Sequence, residues 1–124
     1  MVRLAAAAFA LTVFATPSRA SGDGYVCTYT KECVGLDACQ DTSYELSFVF
    51  DGDVAIVDDV NGTSKATRLP VESSSVLSIA GQTGGTTRMI TTPIAGGLSH
   101  FTLHMNEAQL AITYKGTCEA VEGA

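Results

Sequence analysis

The 124-residue chain is 46% hydrophobic and 16% charged and carries a formal charge of −6. An acidic surplus of this size repels polyanions, which argues against nucleic acid and anionic lipid as partners and leaves a basic protein as the complementary choice. The length suits one domain, small enough for covalent cross-links to matter to its stability.

Residues 1–20 read as a cleavable export signal. Arg3 gives the positive start, residues 4–14 an apolar core, and Ser18-Arg19-Ala20 a small-x-small site with cleavage between Ala20 and Ser21. The apolar run falls short of the roughly 20 residues that cross a bilayer, and the first cysteine, Cys27, is too far from the junction for lipid attachment. A buried helix in an unprocessed chain is the alternative, but it leaves the flanking pattern unexplained. The expected product is therefore a monomeric, periplasmic or secreted protein without a membrane anchor, with residues 21–124 as a single all-β domain. Loss of Arg3 and Arg19 leaves five basic residues against thirteen acidic ones, a formal charge of −8.

Short alternating segments recur between turn signals from there on, the pattern of an all-β domain. The first strand, residues 25–30, places Tyr25, Cys27 and Tyr29 on one face. A loop bracketed by Cys33 and Cys39 follows. Residues 43–50 then alternate Tyr44, Leu46, Phe48 and Phe50 against Ser43, Glu45, Ser47 and Val49, a half-buried strand. Asp51-Gly52 turns it into a strand over 54–58, and Asn61-Gly62 is expected to be the central pair of a type I′ hairpin turn. A strand over 65–71 ends at Pro70 or lies at an edge, since proline lacks the N–H donor. Strands over 76–80, 86–92, 98–105 and 110–117 complete eight, separated by turns at 81–85, 93–97 and 106–109. Residues 98–111 also have helical character around Asn106, but Phe101, Leu103 and Met105 alternate with His100, Thr102 and His104, which favours a strand.

Eight short antiparallel strands close most economically as a small up-and-down barrel, with a barrel-like sandwich as the alternative. The four cysteines, Cys27, Cys33, Cys39 and Cys118, follow the export signal and are read first as disulfides. Of three connectivities, Cys27 with Cys118 and Cys33 with Cys39 is favoured. The first pair ties the opening strand to the closing one, and the second clips a short loop. Zinc is the competing reading, but five residues between each of the first three cysteines match no paired C-x2-C site.

Motifs that announce chemistry are incomplete. His100 and His104 have the spacing of the H-E-x-x-H histidines, yet Phe101 replaces the glutamate, and on a strand they stand about 13 Å apart. Gly97-Leu-Ser-His-Phe101 lacks the second glycine of a nucleophile elbow. Asp51 with Asp53 and Asp58 with Asp59 are expected to be solvated turn acids. No register gives a calcium loop, residues 81–85 lack the lysine of a phosphate loop, and Asn61-Gly62-Thr63 is a formal glycosylation acceptor whose hairpin role suffices. Neither a catalytic residue nor a cofactor or metal ligand is assigned.

Tyr25-Val-Cys27 near the start and Tyr114-Lys-Gly-Thr-Cys118 near the end resemble bacterial periplasmic inhibitors of c-type lysozyme, which are small β-barrels with an early and a late cysteine. The resemblance implies a barrel that binds a basic enzyme. It carries over no inhibitory residue: 81–85 is not the S-G-x-x-Y segment of that family, Lys115 lies too close to the last cysteine, and Cys33 and Cys39 are additional. The expected function is that of a non-enzymatic binding module, with a small-ligand carrier or an envelope structural or assembly protein as alternatives.

Overall fold

A computed structural model describes residues 24–122. The export signal and its Ala20-Ser21 junction lie outside the described residues. Eight strands follow in chain order: β1 (Gly24–Val34), β2 (Gln40–Asp51), β3 (Val54–Asp59), β4 (Gly62–Arg68), β5 (Val76–Thr83), β6 (Thr86–Pro93), β7 (Gly97–Met105) and β8 (Leu110–Val121). Each pairs antiparallel with its sequence neighbours, and β8 returns to β1, so the sheet is a closed barrel rather than a sandwich.

The two-residue alternation decides which side chains fill this barrel. Tyr25, Cys27 and Tyr29 of β1, Leu46 and Phe48 of β2, Ala55 and Val57 of β3, and Leu77 and Ile79 of β5 are buried, as are Ile90, Phe101, Ile112, Tyr114 and Cys118. One irregularity protects this pattern. The register shifts between Tyr29 and Lys31 on both seams of β1, so Thr30 and Lys31 are exposed in succession and the inward side resumes at Glu32. Without that β-bulge the Lys31 ammonium would point into the core.

Closure rests on β1 and β8. Cys27 and Cys118 face each other in register and form a disulfide across a sequence separation of 91. Cys33 and Cys39 form the second, clipping the β1–β2 connection. Two positions along from Cys118, a Cβ on Gly116 would stand 2.0 Å from the Thr28 carbonyl oxygen. Only glycine allows β8 to lie so close to β1. The seam between β4 and β5 is the shortest, with register pairs only at Thr67–Ala80 and Arg68–Ile79. Here Gly81 takes the close approach, since a Cβ would come within 2.5 Å of the Lys65 carbonyl oxygen.

Several boundaries differ from the sequence expectation. The fourth strand is Gly62–Arg68 instead of 65–71, because Pro70 cannot donate to the ladder and lies with Val71 in the β4–β5 connection. β5 runs on through Thr83, leaving only Gly84 and Gly85 as the turn; Gly81 serves the strand crossing, not the turn. The β3–β4 turn is centred on Val60-Asn61 instead of Asn61-Gly62, with Asp59 opposite Gly62. A type I′ turn needs positive φ at both central residues, which β-branched Val60 resists; only Gly62 is positive, at 117°. The segment over 98–111 is β7, a turn at 106–109, and the start of β8, with no helix.

Candidate recognition surface

An up-and-down barrel has two rims. The first carries the clipped β1–β2 loop and the β3–β4, β5–β6 and β7–β8 turns; the second carries the β2–β3, β4–β5 and β6–β7 connections. Between them the interior is full of side chains. The void beside Arg88, Ser64 and Ile90 measures about 10 Å³, which is at most the room for one water.

Beneath the first rim, Tyr44, Phe101 and Tyr114 stack with ring centroids 5.1 to 5.7 Å apart. The two tyrosine hydroxyls find carboxylates from other strands. Tyr44 donates to Asp59 Oδ2, and Tyr114 donates to Glu32 Oε2 at 2.8 Å. Asp59 Oδ2 also faces Arg88 Nη1 at 3.3 Å, while its Oδ1 accepts the Asn61 backbone N–H at 2.8 Å. The Asp59 side chain is 1% exposed and that of Arg88 20%, so this pair is largely withdrawn from water. Burial, followed by the Asp59 carboxylate, raises the Tyr44 hydroxyl well above its ordinary pKa. Burial, together with Glu32, pushes Tyr114 up to about 12. Both tyrosines are therefore fixed as neutral donors at physiological pH.

Asp59 thus corrects the expectation of a solvated turn acid. It shares the inward side of β3 with Ala55 and Val57, and that parity is a signal present in the sequence. The partners are what sequence spacing conceals: Arg88 lies 29 residues away and Tyr44 15. The neighbouring Asp58 is exposed and accepts from Thr63 Oγ1, as a turn acid should. Asp51 and Asp53 are exposed at the second rim.

The other sequence candidates do not converge. His100 and His104 are exposed on β7, opposite Lys115 and Ala111 of β8. Among the described residues no three His, Cys, Asp or Glu side chains form a group able to hold a metal. Ser99 is buried; its Oγ donates to the Thr91 carbonyl at 2.8 Å and shares a hydrogen bond with the Tyr29 hydroxyl at 2.9 Å. Desolvation raises Tyr29 to about 12, so this contact joins two neutral hydroxyls.

Outside this network the first rim presents a different chemistry. Leu36, at the tip of the disulfide-clipped loop, is fully exposed, and Val60 of the β3–β4 turn is 79% exposed. Exposed Asp37 and Glu107 lie in two of its connections and exposed Asp58 near the end of β3, and Asp41 pairs with Lys31 just below. Backbone hydrogen bonds tie three of the four rim connections to their neighbours: Gly35 N–H to the Ala111 carbonyl at 2.8 Å, and Asn106 N–H to the Gly85 carbonyl at 2.9 Å. Apolar tips on a braced, acidic rim are the features of an interface centre with a charged border. No known protein family, characterised protein or solved structure matches the chain.

Proposed function

We propose that this is an exported, non-enzymatic binding module whose first rim docks on a basic protein, with a c-type lysozyme as the partner suggested by the sequence resemblance. The observation that carries the reading is the pairing of exposed Leu36 and Val60 with Asp37, Asp58 and Glu107 on one rim. Two apolar side chains offer anchors, and the acids supply attraction and orientation toward a cationic surface. The Cys33–Cys39 bridge limits the loop entropy lost on docking, which favours affinity.

Two further facts support binding over catalysis or carriage. The interior carboxylates and hydroxyls are engaged with one another: Asp59 with Tyr44 and Arg88, Glu32 with Tyr114, and Ser99 with Tyr29. A void of about 10 Å³ leaves no place inside the barrel for a carried ligand. The two disulfides fit an oxidising compartment, in line with the export signal.

The test is titration of the chain beginning at Ser21 against a c-type lysozyme in low salt, followed by calorimetry and by lysozyme activity. Micromolar or tighter binding that weakens with salt and is lost in Leu36→Asp is the expected result. Absence of both binding and inhibition at micromolar concentration removes the proposal.

A further inference from the structure

The second rim holds a feature that protein docking at the first does not use. Where β4 leaves its short seam with β5, the connection over 69–75 and the β6–β7 connection enclose an open cleft of about 410 Å³. Leu69, Pro70, Val71, Val76 and Ile94 form its apolar walls, and Arg68 and Asp53 supply its two charges. Its volume lies within the roughly 300 to 1,000 Å³ common to clefts that hold small ligands, and Ser73 adds a further polar group to a lining that is polar as well as apolar.

The two charges are neighbours that do not neutralise each other. The Arg68 backbone N–H donates to the Asp53 carbonyl at 2.8 Å, yet their side chains form no ion pair with each other or with any other described residue. Instead the Arg68 guanidinium lies 4.9 Å from the centroid of the Phe50 ring. Phe50 in turn packs edge-on against Phe48 in the core, at 5.8 Å. Stacking of this kind holds the arginine by its face and leaves its edge N–H donors available. The contrast with Arg88 is direct, since that guanidinium is committed to Asp59.

We infer that this cleft binds a free apolar α-amino acid, the carboxylate taken by Arg68, the ammonium by Asp53 and the side chain by the walls at Leu69, Val71, Val76 and Ile94. A guanidinium edge matches a carboxylate in a two-pronged hydrogen bond. An α-amino acid carries its two charges on neighbouring groups, and the backbone hydrogen bond sets Arg68 and Asp53 side by side at the cleft. Net charge disfavours one alternative, since a chain of formal charge −6 repels an anionic amphiphile.

Calorimetric titration with L-leucine tests this, with 4-methylpentanoate, which lacks the ammonium, and isopentylamine, which lacks the carboxylate, as controls. Leucine is expected to bind in the millimolar range or tighter, with amide shifts at Val71, Val76 and Ile94, and each control to bind about tenfold more weakly. Arg68→Gln and Asp53→Asn should each lower leucine affinity about tenfold. Asp53 is an exposed turn residue, so Asp53→Asn keeps the test valid even if loss of the Phe50 stacking unfolds Arg68→Gln. Absence of leucine binding at millimolar concentration, equal binding of 4-methylpentanoate, or unchanged affinity in Asp53→Asn overturns the inference. Its failure leaves the lysozyme reading untouched, because the two sites lie on opposite rims.

Discussion

Both rims lie over aromatic packing, but the first adds a polar network drawn from distant parts of the chain, whereas the second adds a cation over a ring and a loop. At the first, Asp59 engages Tyr44 and Arg88, and Glu32 engages Tyr114, beneath hairpins tied by backbone hydrogen bonds. At the second, Tyr25 stacks on Phe48 at 5.1 Å and its hydroxyl donates to the Ile94 carbonyl, Arg68 lies over Phe50, and the 69–75 connection overhangs an open cleft. The difference separates rigidity from openness. A largely buried network of hydrogen bonds and an ion pair holds loops in a fixed arrangement suited to a protein surface, and a short strand seam beside a cleft leaves room for a small molecule.

The largest way to disturb this contrast is to cut the closure that both rims share. Cys27→Ser with Cys118→Ser releases a loop of about 90 residues, for which chain entropy gives roughly 4 to 5 kcal/mol, whereas Cys33→Ser with Cys39→Ser releases a short one at about 2 kcal/mol. Urea unfolding should show the first pair far more destabilised; equal losses would mean that the long bridge does not govern closure. Gly116→Ala comes next. A Cβ forced to within 2.0 Å of the Thr28 oxygen requires β1 and β8 to part, at about 3 kcal/mol.

Asp59→Ala addresses the first rim alone. It leaves the Arg88 guanidinium partly buried without its carboxylate and takes away the acceptor of Tyr44. Removal of one partner from a fully buried pair costs roughly 3 to 5 kcal/mol, and the residual exposure of Arg88 reduces this to about 2 to 3 kcal/mol. Hydrogen exchange should rise at residues 58–62 and 86–90 while the second rim keeps its protection. Uniform loss across the barrel would contradict the division between the rims.

Alkaline titration gives a smaller and graded effect. Tyr29 and Tyr114 ionise near 12 in the folded chain and near 10 when unfolded. The unfolded chain therefore loses these protons first, so the stabilisation is complete below about pH 10 and is lost as pH rises toward 12. Melting temperature should be level from pH 7 to about pH 9 with respect to these groups and then fall while tyrosinate absorbance rises.

Much of the barrel was legible because its information is local. Alternation marked Tyr44, Leu46, Phe48 and Phe50 as inward, glycine pairs marked turns, and Cys27 and Cys118 in the outermost strands pointed to the disulfide that joins β1 to β8. What escaped was set by contacts between strands. Asp59 looks like a turn acid until Arg88 and Tyr44 are brought beside it, and Gly81 looks like part of a turn until Lys65 crosses it. The Val60-Asn61 turn was one residue off because the preferred Asn-Gly pair competes with the strand register that puts Asp59 opposite Gly62. Exposed Leu36 gave no signal in hydropathy, since only the clipped loop makes it a tip.

The proposed recognition surface for a basic protein is the first rim, not the barrel wall or the second rim. A backbone-amide NMR titration of the chain beginning at Ser21 with a c-type lysozyme in low salt tests it most directly. Perturbations are predicted at residues 35–39, 58–61 and 106–109, fading as salt rises and absent in Leu36→Asp. Perturbations centred on 68–76 and 94, or none at micromolar lysozyme, would contradict it.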